Sequence, residues 1–120
     1  MSKSAVYRGS KMKKLMLFGG LALVMAAVSP VQARDYEAGK KKAEEVCAAC
    51  HGPDGNKTIT PDTPRIGGQY YEYLVHSLHA YKKGARENAM MSPMAKPLTD
   101  KEIKDLAYYF SKQKGLVEKY

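Results

Sequence analysis

The sequence predicts an all-α fold. Three segments repeat apolar residues at helical spacing, and each carries a helix start or stop signal at one of its ends. No stretch alternates apolar and polar residues over a strand's length, and no βαβ alternation appears. The chain has 120 residues and no internal repeat, which at this length means one domain.

In chain order, the first element is a leader. Lys3, Arg8, Lys11, Lys13 and Lys14 stand without any acid, ahead of an apolar run from Leu15 to Val28. That run is short for a membrane-spanning helix, which needs about 20 residues. It closes on Ser29-Pro30-Val31-Gln32-Ala33, the small-residue pattern that a signal peptidase reads. Residues 1–33 are therefore expected to be a secretory signal peptide, cleaved after Ala33, with 34–120 the mature domain. An uncleaved anchor is the rival, and the clear small-residue site speaks against it. No cysteine lies beside the cleavage point, so a lipoprotein signal is excluded. Met12-Lys13-Lys14-Leu15 is itself an ordinary signal-peptide start, and translation is expected to begin there.

Cleavage changes the charge argument. The whole chain is +8, with 20 Lys and Arg against 12 acids. Five of the basic residues and no acid precede Arg34, so residues 34–120 carry 15 against 12, or +3. The basic balance is thus largely the leader's, and no nucleic-acid partner is indicated.

The first mature helix is expected from Asp35, as N-cap, to about Ala49, with a modest apolar stripe of Ala38, Ala43 and Val46. Gly39 interrupts it at a cost of about 1 kcal/mol against alanine, which suggests the close approach of another element. Residues 52–68 are dense in Gly, Pro, Asp, Asn and Thr and read as a loop. A second helix is expected from Gln69 to about Lys83, with Tyr70, Leu74, Leu78 and Tyr81 on one face and Gly84 as its stop. His76 and His79 on that helix read as surface histidines. Residues 85–98 read as irregular. Thr99-Asp100-Lys101-Glu102 is a capping box opening a third helix, whose apolar face is Ile103, Leu106, Ala107 and Phe110. Gly115 is expected to end it, with Lys112 and Lys114 favoured near its C-terminus by the helix dipole.

The chemistry lies in Cys47-Ala48-Ala49-Cys50-His51. Two cysteines two residues apart, followed at once by histidine, are the pattern of covalent c-type haem attachment. One turn of backbone brings both thiols to the two vinyl groups on one porphyrin edge, and the next imidazole can bind the iron from one side. Two rivals use the same residues. A thiol–disulfide pair wants a βαβ context, and a structural zinc site wants four ligands where the chain has only two cysteines. The mature core is small, and a large flat apolar cofactor would complete it.

A second ligand is suggested by Met90, Met91 and Met94, the only methionines after the leader, all within five residues. A loop thioether can reach the far face of a haem held by His51, and His/Met ligation suits electron transfer. The alternative is that these methionines line a flexible apolar contact.

In this order, helix, C-x-x-C-H, Pro/Gly loop, helix, Met loop and C-terminal helix, the chain resembles the class I cytochromes c. In detail it is similar to the small bacterial periplasmic mono-haem type and to one half of the di-haem proteins of that branch. Glu37 to Lys40, Cys47 to Asn56, Pro64 to Gln69 and Met91 to Gly115 carry the likeness. The resemblance implies a cytochrome c fold, three main helices wrapped around one covalently attached haem c. It implies thioethers at Cys47 and Cys50 and a proximal ligand at His51. In the family the distal methionine precedes a leucine of the capping segment by seven residues; here that leucine is Leu98, which points to Met91, with Met94 a second methionine packed near the haem. Pro64 would accept a hydrogen bond from the proximal imidazole, Ile66 would touch the ring, and Tyr109 would pack where Gly39 lets the first and last helices cross. One motif implies one haem.

The function so implied is a soluble periplasmic one-electron carrier, not an enzyme. Its partners would be redox proteins such as respiratory complexes, terminal oxidases or periplasmic reductases, with no nucleic acid and no stable membrane insertion after cleavage. It would be a monomer or weak dimer, with Lys40 to Lys42, Lys82, Lys83 and Arg86 either steering an acidic partner or simply solvated. The alternatives are a haem subunit of a larger dehydrogenase or oxidase complex, and a haem sensor or enzyme with an open sixth position.

Overall fold

A computed structural model describes residues 33–115. The expected signal peptide, apart from Ala33, and the expected start at Met12 lie outside the described residues. Among the described residues five helices follow one another: α1 (Tyr36–Val46), α2 (Ala48–His51), α3 (Tyr71–Lys83), α4 (Met91–Ala95) and α5 (Asp100–Ser111). There is no strand among the described residues, and no helix among them is long and apolar enough to cross a membrane.

The Asp35 carboxylate caps α1, accepting the Ala38 N–H at 3.0 Å. The helix expected to reach Ala49 breaks at Cys47, so Ala48–His51 form a separate turn, α2. The break leaves the Cys47 N–H on the Ala43 carbonyl at 2.9 Å and the His51 N–H on the Cys47 carbonyl at 3.0 Å. The expected apolar stripe fails at Ala38, which is exposed; the buried positions of α1 are Gly39 and Ala43. The cause is the crossing with α5. A Cβ at Gly39 would lie 2.2 Å from the Asp105 carbonyl oxygen and 3.0 Å from the Tyr109 Cβ. Only a residue without a side chain lets the two backbones meet there.

The α5 face is as expected: Ile103, Leu106, Ala107 and Phe110 are all buried. Both halves of the Thr99/Glu102 capping box form. The start of α5 also secures α1. Lys42 of α1 pairs with Glu102 at 3.0 Å and with Glu45 at 3.3 Å, so it is not part of a free basic face. The buried Asp105 carboxylate accepts the Asp35 N–H at 2.9 Å and the Lys101 ammonium at 2.6 Å. A buried charge is tolerated when it is met in this way.

Glu102 makes this junction acid-sensitive. The Thr99 backbone N–H, then the Lys42 ammonium, hold its carboxyl down at about 2 against an ordinary 4.5. A depressed carboxylate contributes stability above its unfolded pKa and loses it as pH falls through the folded value. That contribution is complete above about pH 4.5 and fades towards pH 2. Glu102→Gln should therefore cost roughly 1 kcal/mol at neutral pH, the size of a lost cap, and little at pH near 2. Urea unfolding of both proteins at several pH values measures it; an equal difference at every pH would refute the assignment.

On α3, Leu74 is buried and Leu78 and Tyr81 are half-buried, as the periodicity requires. Tyr70 is not on that face. It sits in extended backbone ahead of the helix, 57% exposed, while Tyr71 and Val75 pack against the core instead. Gly84 ends the helix in the left-handed region at φ 76°. Lys82 donates to the Leu98 carbonyl, which ties α3 to the segment leading into α5, so it too is more than a solvated cation. His76 is exposed, whereas His79 is partly buried with Nδ1 3.9 Å from the Asp100 carboxylate.

The 52–70 loop is irregular but pinned at two points to α5 and at a third to the segment that follows it. The Tyr109 hydroxyl donates to the Pro53 carbonyl at 2.8 Å, the Gly68 N–H to the Phe110 carbonyl at 2.8 Å, and the Asn56 amide to the Lys114 carbonyl at 2.7 Å. Gly115 serves this docking and does not end α5, which stops at Ser111 with Lys112 as its cap. A Cβ on Gly115 would meet the Gly67 carbonyl oxygen at 2.2 Å. Lys112 lies 5.2 Å over the Tyr108 ring. The 85–98 stretch, expected to be irregular, contains the short helix α4.

Candidate functional site

The loop, α2, α3, α4 and α5 enclose a largely apolar cleft of about 200 Å³. Five of the six residues expected from the sequence line it: Cys47, His51, Pro64, Ile66 and Met91. The sixth, Cys50, is half-buried one turn beyond Cys47 and is not part of the lining. Leu74, Leu78, Leu106 and Phe110 form much of the apolar wall.

His51 is the most constrained of these side chains. It is 6% exposed at the end of α2, and its Nδ1 lies 2.8 Å from the Pro64 carbonyl oxygen. A carbonyl only accepts, so Nδ1 carries the proton and Nε2 keeps its lone pair. The ring is thereby fixed in the tautomer that ligates metal through Nε2, with the second-neighbour carbonyl that metal-binding histidines use. Pro64 can serve because the loop that bears it is fastened to α5.

Met91 arrives at the cleft from α4. Asn88 sets its backbone: one carboxamide oxygen accepts the N–H of Met90 at 3.0 Å and of Met91 at 2.9 Å. The Asn88 N–H donates in turn to the Ser92 hydroxyl at 3.1 Å. Sequence reading passed over Asn88, although an asparagine just ahead of a helix is a capping signal. Of the other methionines, Met90 is 67% and Met94 42% exposed, and neither lines the cleft.

The two cysteines are unbonded. Burial, and next the neighbouring Cys50, push the Cys47 thiol up to about 11. A disulfide-exchange cysteine needs the opposite shift, since the thiolate is its nucleophile. The zinc reading also finds no support: no group of three His, Cys, Asp or Glu among the described residues is arranged to hold a metal ion. The donor set that converges on the cleft is one imidazole and one thioether, with the Cys47 thiol at one end and the Cys50 thiol one turn beyond it. That set fits haem c, which takes cysteine thioethers and His/Met ligation.

The sequence also missed a polar row. Gln69, Tyr73 and Ser77, four residues apart, line the cleft beside the Leu74 and Leu78 stripe, together with Arg65 and Arg86. Its signal was a second four-residue period one position from the apolar one.

A helical shell around an apolar cleft, with a C-x-x-C-H turn and a methionine on separate elements, defines a small c-type haem protein. The family model for cytochrome c matches residues 36–114, and the chain belongs to that family. It is 49% identical over 82 residues to cytochrome c4 of Thiocapsa roseopersicina, across 68% of this chain and 42% of that protein. It is 43% identical to cytochrome c-554(548) of Halomonas halodenitrificans, across 68% of this chain and 99% of that protein. Among solved structures, reduced recombinant cytochrome c4 from Pseudomonas stutzeri superposes with a TM-score of 0.64 at 41% identity, covering 71% of this chain and 48% of that one. The chain thus spans about half the length of the cytochrome c4 relatives it matches.

Proposed function

We propose that the chain is a soluble one-electron carrier that holds one haem c and works in the periplasm once residues 1–33 are removed. Cys47 and Cys50 carry the thioethers, and His51 and Met91 are the axial ligands. The single observation that carries this reading is the His51–Pro64 hydrogen bond of 2.8 Å, which leaves Nε2 free to ligate. When bound, the haem supplies a ferrous–ferric couple. The chain's own work is to fill both axial positions, so that no substrate reaches the metal, and to wrap the ring in apolar side chains. That division of labour is a carrier's and not an enzyme's.

The partners are redox proteins: respiratory complexes, terminal oxidases or periplasmic reductases. Such encounters are small and transient. Lys40, Lys41 and Lys83 remain exposed and can steer an acidic partner, whereas Lys42 and Lys82 are engaged within the fold. The carrier is a monomer or weak dimer.

The test is a mass and a visible spectrum of the native protein in both redox states. A mass equal to the bare polypeptide ends the proposal. Met91→Ala should lower the reduction potential by on the order of a hundred millivolts, within the ~0.8 V that axial ligands span. It should also admit carbon monoxide to the reduced iron and abolish the weak red absorption of the ferric form. Met94→Ala should leave all three unchanged; the reverse pattern would move the ligand to Met94.

A further inference from the structure

Met91 reaches the cleft at the end of a stretch that packing does not hold. Every residue from Lys83 to Met90 is exposed, and Met91 itself is half-buried. The first fully buried residues after it are Ala95 and Leu98. The five-residue helix α4 is too short to be stable by itself. Its cap position is Met90, whose side chain makes no capping bond. Asn88 supplies the missing bonds from two residues earlier. Its carboxamide oxygen accepts the Met90 N–H at 3.0 Å and the Met91 N–H at 2.9 Å. Its carbonyl accepts the Ser92 N–H at 3.0 Å, and the Ser92 hydroxyl accepts the Asn88 N–H at 3.1 Å. These bonds close a clasp around the Met91 backbone. A methionine side chain is flexible, with three rotatable bonds, so a fixed backbone is what limits where its sulfur can go.

We propose that Asn88, clasped to Ser92, is a positioning residue for Met91 and sets how often the Met91 thioether leaves the cleft. This rests on the reading of Met91 as an axial ligand. Asn88 does not line the cleft, so it acts through the Met91 backbone. An intact clasp keeps the sixth position filled, as a carrier requires. A broken clasp leaves a haem protein whose iron small outside ligands can reach.

The binding rate of carbon monoxide to the reduced holoprotein tests this, because it scales with the fraction of molecules in which Met91 is released. Asn88→Ala should raise that rate about fivefold or more, the ratio that the loss of one helix cap implies. Ser92→Ala should raise it less, since the carboxamide oxygen keeps both of its donors. Asn88→Asp, whose carboxylate oxygen can accept the same two N–H groups, should restore the wild-type rate. Asp35→Ala removes a cap of the same kind from α1 and should lower Tm while leaving the rate unchanged. A wild-type rate in Asn88→Ala overturns the proposal. So does a rate raised as far in Asp35→Ala, or an Asn88→Asp protein as fast as Asn88→Ala.

A double variant separates positioning from a general loosening of the cleft. In a Met91→Ala background the position is already open, so Asn88→Ala should add nothing to the rate. A further fivefold rise there, the size expected of a lost cap, overturns the proposal. Any of these negative results in a haem-loaded protein with its red Met–iron band sinks only the role of Asn88. A rate unchanged by Met91→Ala itself sinks the ligand assignment, and a protein without haem sinks the carrier reading.

Discussion

Replacing His51 with alanine is expected to abolish the recovery of haem-loaded protein. Two losses combine. The iron loses its fixed nitrogen ligand, and the Pro64 carbonyl loses the donor 2.8 Å away that joins α2 to the 52–70 loop. Leaving a partly buried acceptor without its partner costs about 1–3 kcal/mol. Truncating a side chain that is 6% exposed also opens a void beside the cleft. The domain is small, and an 83-residue described shell has little stability to spare once its central ligand is absent. Haem staining after denaturing electrophoresis, with the covalent mass, reads the outcome. Wild-type yields of a haem adduct from His51→Ala would show that His51 is not the residue on which assembly depends.

Gly39→Ala is expected to destabilise the holoprotein by about 3 kcal/mol, the upper part of the range for overpacking. The obstructing atoms explain the size. The new methyl would lie 2.2 Å from the carbonyl oxygen and 2.6 Å from the carbonyl carbon of Asp105. Both belong to the backbone of α5, so no side chain can swing aside, and the two helices must separate. Separation would also stretch the Asp105–Asp35 hydrogen bond and the Lys42–Glu102 pair, now 2.9 and 3.0 Å. Alanine's better helix propensity returns only about 1 kcal/mol. For a domain of this size each kcal/mol shifts Tm by about 4–8 °C, so Tm should fall by on the order of 10–20 °C. Thermal unfolding followed by circular dichroism measures it. An unchanged Tm would mean that the crossing yields more easily than its contacts imply.

The legible parts of the fold were those written in local chemistry. The capping box at Thr99 and Glu102, the Asp35 cap, the Gly84 stop and the buried face of α5 all follow from residues within a turn of one another. The C-x-x-C-H turn is legible for the same reason, because haem attachment depends on spacing along the chain. Errors fell where a distant element decides. Ala38 and Tyr70 have the right period but the wrong environment, since α5 meets α1 at Gly39 and α3 begins one residue after Tyr70. Gly115 read as a helix stop and is a contact point for Gly67, across nearly fifty residues of chain. Lys42 and Lys82 read as surface charge, and each holds two elements together.

The sequence by itself determined the three main helices, the attachment motif and the choice of a methionine window, because each depends on neighbours along the chain. Tertiary structure alone decided that Tyr71 and Val75 pack on the core in place of Tyr70, that Gly115 meets Gly67, and that Gln69, Tyr73 and Ser77 line the cleft. Those outcomes are set by side chains from separate elements meeting at fixed distances, and one-dimensional spacing carries no record of which elements pack together.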